Sequence, residues 1–189
     1  MKLPNLIGVS GTFGSGKDSL ARILVNEYGY TEVSTSDLVR EVAMRERGSI
    51  ERPVLAEVAT MCRENYGAGY FVEVGLEKSR PLVITGIRSL GEMKALKQAN
   101  GIMVYIDAPI EERYRRMIGR ARDAEAQVSL EEFRQREEQE MYSGDSDADF
   151  NLREIGKRAD VKIINDGTFE KFRGRVIKAL SQTKLDKSF

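Results

Sequence analysis

Short, almost wholly apolar runs recur along the chain, at Leu6–Val9, Tyr30–Val33, Leu82–Thr85, Ile102–Ile106 and Val161–Ile164. Between them apolar positions return every three or four residues, the period of a helix that buries one face. Leu20, Ile23, Leu24 and Tyr28 form one such stripe, and Leu55, Val58, Ala59, Cys62 and Tyr66 form another behind Pro53, a residue suited to a helix start. Pro109 introduces a third, with Ile110, Tyr114, Met117 and Ile118 inward and Arg113, Arg115, Arg116 and Arg120 largely toward solvent. Phe169, Phe172, Val176 and Leu180 make the last, behind Thr168 as its cap. Apolar strands alternating with amphipathic helices predict an α/β fold, a three-layer sandwich around a five-stranded parallel sheet. No linker or repeat divides the chain, so residues 1–189 read as one domain.

The pattern weakens between residues 120 and 158, where charges crowd and large apolar side chains are few. Solvated helices have that composition, and so does a lid that closes arginines over a ligand and excludes water. The tail beyond Leu180 is polar and is expected to fray.

The first strand runs into Gly11-Thr12-Phe13-Gly14-Ser15-Gly16-Lys17, and a helical stripe starts directly after it. Strand, glycine-rich turn and helix in that order, with the spacing G-x-x-x-x-G-K, predict a phosphate-binding P-loop. Glycines let successive N–H groups converge on phosphate oxygens, and the helix N-terminus adds partial positive charge. Lys17 is then the mobile ammonium for the β and γ phosphates of a nucleotide. The residue after it, commonly a magnesium-binding hydroxyl, is Asp18, with Ser19 one place later. The third strand ends at Thr85, where such loops commonly have a carboxylate near the metal. The two roles read as exchanged: Asp18 gives the charge beside Mg²⁺ and Thr85 the hydroxyl.

Two arginines stand near strand ends. Ser34-Thr35-Ser36-Asp37-Leu38-Val39-Arg40 follows the second strand, with Thr35 or Ser36 the expected N-cap, and Gly86-Ile87-Arg88 follows the third. Ligands of open α/β sheets bind beyond the carboxyl ends of the strands, and a guanidinium fork there suits a second phosphate.

Composition narrows the chemistry. Thirty basic and thirty acidic residues leave no net charge to attract nucleic acid or membrane as a whole. No apolar run reaches the roughly 18 residues of a spanning helix. A short N-terminus leaves no room for a signal peptide, and the single cysteine, Cys62, allows no internal disulfide, so a cytoplasmic setting is expected. Cys62 lies on an apolar stripe and reads as core. The sequence contains no histidine, which removes histidine triads, histidine bases and histidine-rich zinc sites.

In this order the motifs resemble the P-loop nucleoside monophosphate kinase family, adenylate kinase-like, over nearly the whole chain. Gly11–Lys17 resembles its phosphate loop, and residues 34–40 its S-T-G-D-x-[LV]-R segment, whose arginine grips the acceptor phosphate. Thr85-Gly86-Ile87-Arg88 is similar to its D-G-x-x-R turn without the Asp. Residues 116–120 resemble the R-x-x-G-R that leads into the lid, and Asp166-Gly167-Thr168 the loop beside the adenine. G-I-R-S-L-x-E and the Asp after Lys17 are also similar to dephospho-CoA-kinase-like P-loop proteins. The resemblance implies a core of 1–36, 81–119 and 159–182, an acceptor-binding segment of 37–80 and a lid of 120–158. It implies ATP as donor with Mg²⁺, and phosphoryl transfer to a nucleotide monophosphate. Lys17, Arg88, Arg120 and Arg122 would stabilise the charge in flight. Gly11 to Ser19, Arg120 and Gly167 would hold the nucleotide, with Thr12, Phe13, Gly14, Ser15 and Gly16 forming the loop. Asp37, Arg40, Arg88 and Arg136 would hold the acceptor, and Asp18 with Thr85 the metal. The partners are then small nucleotides, the protein a monomer or homodimer. The alternatives are a dephospho-CoA kinase and a nucleotide-binding regulator with little kinase activity.

Overall fold

A computed structural model describes residues 3–120 and 128–183, with the Arg120 side chain outside that description. Five strands, β1 (Leu6–Gly11), β2 (Thr31–Ser34), β3 (Leu82–Thr85), β4 (Ile102–Asp107) and β5 (Val161–Ile164), form one sheet in the order β2-β3-β1-β4-β5. Every neighbouring pair is parallel. The expected α/β sandwich is therefore present. Strand positions hold to within two residues, β1 and β4 running further than their apolar cores because Ser10 and Gly11 continue the ladder opposite Tyr105 and Ile106.

Alternation along the strands feeds two layers. Ile7, Val9, Val83, Val104 and Ile163 pack on one face against α1 (Lys17–Tyr28) and α9 (Phe169–Gln182), through Leu20, Leu24, Phe172 and Val176. Leu6, Leu82, Ile84 and Met103 point the other way, onto α5 (Leu90–Gln98) and α8 (Leu152–Arg158). Gly8 on that second face is small for a reason, since a Cβ there would lie 2.3 Å from Leu96. Phe169, expected inward, is 53% exposed, because it opens α9 before the helix reaches the sheet.

The connection from β2 to β3 carries α2 (Thr35–Arg47), α3 (Arg52–Tyr66) and α4 (Tyr70–Gly75). These helices enclose a separate apolar cluster of Ala43, Val58, Ala59, Cys62 and Phe71, so Cys62 is a core residue. The N-cap of α2 is Ser34, whose hydroxyl accepts from the Asp37 amide, one residue earlier than expected: β2 bends directly into the helix and Thr35 is turned inward to Gly86 O. The remaining helices are α6 (Ile110–Arg120) and α7 (Leu130–Met141). Among the described residues no helix is long and apolar enough to cross a membrane.

β1 lies between β3 and β4, while the chain leaves it for the far edge at β2. The carboxyl end of β1 therefore borders the crevice where strand order reverses, and residues 11–17 occupy it.

Candidate active site

The loop after β1 is shaped by glycines that other residues cannot replace. Gly14 and Gly16 adopt φ of 72° and 109°, and a Cβ on Gly14 would lie 2.8 Å from the Arg113 carbonyl. Only glycine takes such angles without strain. Its carbonyls accept from side-chain donors. Lys17 Nζ donates to Gly11 O and Thr12 O, both at 2.8 Å, and Asn165 Nδ2 donates to Ser15 O at 2.7 Å. Arg116 reaches Gly14 O at 3.5 Å and Asn165 O at 2.9 Å. Arg116 and Asn165 lie outside the cavity wall, so the Gly14 and Ser15 carbonyls are held away from it, and successive backbone N–H groups free of such carbonyls attract anions. Thr12 Oγ1 donates to Asp107 Oδ1 at 2.6 Å. Ser15 Oγ is buried with no hydrogen-bond partner, one of two such side-chain atoms among the described residues. A buried hydroxyl of that kind has a donor to give a ligand.

Burial, followed by the charge of Arg88, brings the Lys17 ammonium down to about 8. Glu140 and Asp18 oppose that shift. A cavity of about 390 Å³ opens beside Lys17 and extends to Arg40 and Arg88. Its cationic wall is completed by Arg22, and its acidic wall is Asp18, Glu32 and Asp37. Arg40 is paired with Asp37 at 2.5 Å one helical turn away, and Arg88 with Glu140 at 3.0 Å. The Arg88 guanidinium also rests on the Phe150 ring, 5.6 Å from its centroid. Its backbone N–H donates to the buried Glu92, which also pairs with Arg63 at 3.0 Å.

Thr85 is buried at the end of β3, and its hydroxyl donates to Glu32 at 3.4 Å across to β2. The carboxylate missing from β3 is thus present one strand away. Partial desolvation, reinforced by the Asp18 charge, pushes the Glu32 carboxyl above the usual range. No group of three acidic, histidine or cysteine side chains among the described residues could hold a metal by itself. The donors Asp18, Thr85 and Glu32 suit Mg²⁺ brought in with phosphates, since that ion commonly takes one or two carboxylates and completes its shell with phosphate and water.

The structure brings Lys17, Asp18, Thr85, Asp37, Arg40 and Arg88 to one cavity wall, with Gly11 to Gly16 in the loop that leads into Lys17. Ser19 lies in the first turn of α1, outside the cavity wall. Gly167 is exposed in the turn after β5, which Asn165 joins to the loop. Arg136 is exposed on α7 and does not line the cavity. The Arg120 side chain and all of Arg122 fall outside the described residues.

One expectation is corrected. Arg113 and Arg116 do not face solvent: Arg113 is 5% exposed and Arg116 holds the loop, because acceptors on distant segments meet them there. Within the segment expected as a lid, α7 pairs Glu137 with Arg113 and Glu140 with Arg88, while Arg134 and Arg136 are exposed. Phe133 seats this helix, edge-on to Phe13 at 6.1 Å and to Tyr114 at 5.8 Å. Sequence reasoning missed Glu32, Glu137 and Glu140, which stand among many surface acids.

Residues 7–143 match the family model described as AAA domain (AAA_18). A UPF0200 protein of Saccharolobus solfataricus is 33% identical over 178 residues, covering 90% of this chain and 89% of its own. Among solved structures, TT1252 from Thermus thermophilus is similar at a TM-score of 0.61 and 25% identity, covering 95% of this chain and 97% of that one. Dephospho-CoA kinase from Campylobacter jejuni is similar in fold, with a TM-score of 0.53, 18% identity and coverage of 94% and 96%.

Proposed function

The chain belongs to the AAA domain family (AAA_18) and to the UPF0200 proteins, and on that footing we propose that it is an ATP-dependent phosphotransferase acting on a nucleotide monophosphate. The observation that carries this reading is the single cavity joining Lys17, at the phosphate loop, to Arg40 and Arg88. A donor's β and γ phosphates would rest on the loop amides, with Lys17 leaving Gly11 O and Thr12 O to meet them. Mg²⁺ bound with the nucleotide, next to Asp18, Thr85 and Glu32, would offset charge on the phosphates. The acceptor phosphate would lie between Arg40 and Arg88. In transfer, the bond from the γ phosphorus to the β–γ bridging oxygen breaks as the acceptor oxygen bonds to that phosphorus, releasing ADP. Lys17 and Arg88 serve by position and charge, as such a reaction needs little covalent help. Arg120, the last residue of α6, and Arg122 would add charge, Arg136 would approach the acceptor only from α7, and Gly167 would flank the base. The reacting partners are small nucleotides.

A second reading has a specific support. A phosphate acceptor needs no base, whereas a hydroxyl acceptor must lose a proton. Glu32, hydrogen-bonded to Thr85 and lining the cavity, is a carboxylate placed to take one. That favours a hydroxyl acceptor such as dephospho-CoA.

The test is a coupled ADP-release assay with Mg-ATP against nucleoside and deoxynucleoside monophosphates and dephospho-CoA, with Lys17→Ala as blank. Turnover on a monophosphate that disappears in the blank supports the first reading, and turnover on dephospho-CoA alone supports the second. Tight ATP binding without turnover on any acceptor would refute both and leave a nucleotide-binding regulator.

A further inference from the structure

Arg113 is an unusual residue for the inside of a protein: a cation with a side chain 7% exposed, on a helix whose Arg115 is exposed and whose Arg116 reaches the loop. Its donors serve three separate segments. Nε donates to Ala108 O at 2.7 Å, fixing the guanidinium to the turn that follows β4. Nη1 reaches Phe13 O at 3.4 Å, at the crown of the phosphate loop. Nη1 and Nη2 together grip the Glu137 carboxylate of α7 in a two-pronged pair, the second prong at 3.0 Å. The plane lies 5.8 Å from the Phe133 centroid, and the Arg113 backbone abuts Gly14.

Five successive carbonyls of the loop thereby accept from side chains: Gly11 and Thr12 from Lys17, which lines the cavity, and, from residues outside its wall, Phe13 from Arg113, Gly14 from Arg116 and Ser15 from Asn165. Lys17 is the one donor in that set that must leave when phosphates bind. Once it does, the loop's outer side depends on Arg113, Arg116 and Asn165. Arg113 alone among them is a buried cation gripping a largely enclosed carboxylate, and such a fork is held rigidly because an unpaired charge there is costly.

We infer that Arg113, fixed by Glu137, is a positioning residue that keeps the phosphate loop open for an anion by holding Phe13 O away from its inner side. The inference rests on the phosphotransferase reading for its purpose but not for its geometry. It makes α7 part of the phosphate site: undocking Glu137 loosens the loop without any contact to nucleotide.

The test uses the full chain and a pair of variants. Replacing both partners, Arg113→Met with Glu137→Met, removes the two charges together and keeps the volume filled, so folding is retained. Arg113→Lys keeps the charge but lacks the fork and cannot serve Phe13 O, Ala108 O and Glu137 together. Hydrogen exchange by NMR, without nucleotide, follows the Thr12 and Ser15 amides, which bond to Ile106 O and Thr12 O. Both variants should exchange at these amides at least tenfold faster than wild type, with Leu20 to Leu24 of α1 unchanged. Binding of a non-hydrolysable Mg-ATP analogue should weaken about tenfold or more in both. Unchanged exchange at Thr12 and Ser15 in the double variant would overturn the inference. If wild type binds no nucleotide at all, the functional reading falls, and exchange alone still decides the role of Arg113.

Discussion

Nucleotide binding should take up a proton at Lys17. In the free protein this ammonium is brought to about 8 by burial and by Arg88. Phosphates arriving against it replace water and add several negative charges, which returns it toward the ordinary lysine value. At pH 8 about half of the free protein carries a neutral Lys17, so binding takes up roughly 0.5 proton, against about 0.03 at pH 6.5. Affinity should fall roughly thirtyfold, about 2 kcal/mol, between pH 7 and 9.5, since each bound molecule must regain that proton. Titration calorimetry of a non-hydrolysable Mg-ATP analogue, repeated in buffers of different ionisation enthalpy, reads the uptake directly. Lys17→Arg is the control, because a guanidinium does not titrate in this range. Equal uptake in wild type and Lys17→Arg at pH 8, or none in wild type, would refute the reasoning. Folding responds with its own sign. Between pH 8 and 10.5 the unfolded chain keeps the proton that the folded chain has lost, so stability of the free protein rises across that window, by at most about 3 kcal/mol.

Gly14→Ala forces a side chain into a left-handed backbone against the Arg113 carbonyl at 2.8 Å. A loss of about 1–3 kcal/mol in a denaturant titration is expected, together with nucleotide binding. Glu140→Gln removes the carboxylate that faces Arg88 and supports the Lys17 charge, so the Lys17 midpoint should drop below 8 in an NMR titration. Glu92→Leu strands Arg63 without its buried partner and frees the Arg88 amide, which should cost on the order of 3–5 kcal/mol in chemical unfolding.

The sheet could be read from sequence because burial on both faces leaves strands such as Leu82-Val83-Ile84 no polar position. The loop could be read because its glycines and lysine fall in an order that little else demands. Arg113 could not, although its angle was available: it is three residues from Ile110 and four from Met117, within the apolar stripe. Residue type argued it outward, and the counter-ion that draws it inward, Glu137, lies on another helix with no local signal. Glu32 escaped for a similar reason. A carboxylate was sought at the end of β3, but parallel register brings Ser34 beside Thr85 and lets a residue of β2 reach the same place.

Among the described residues, the apolar cluster around Ala43, Val58, Cys62 and Phe71 is enclosed by α2, α3 and α4 and shares Leu38 alone with the apolar layer beneath the sheet. Effects of substitutions in clusters that share few partners add instead of compounding. The wall of the cavity carried by α2, with Ser36, Asp37 and Arg40, can therefore be rebuilt for a new ligand with little disturbance of the loop that Lys17 closes. One scaffold can thus diversify what that wall recognises while keeping the loop beside it.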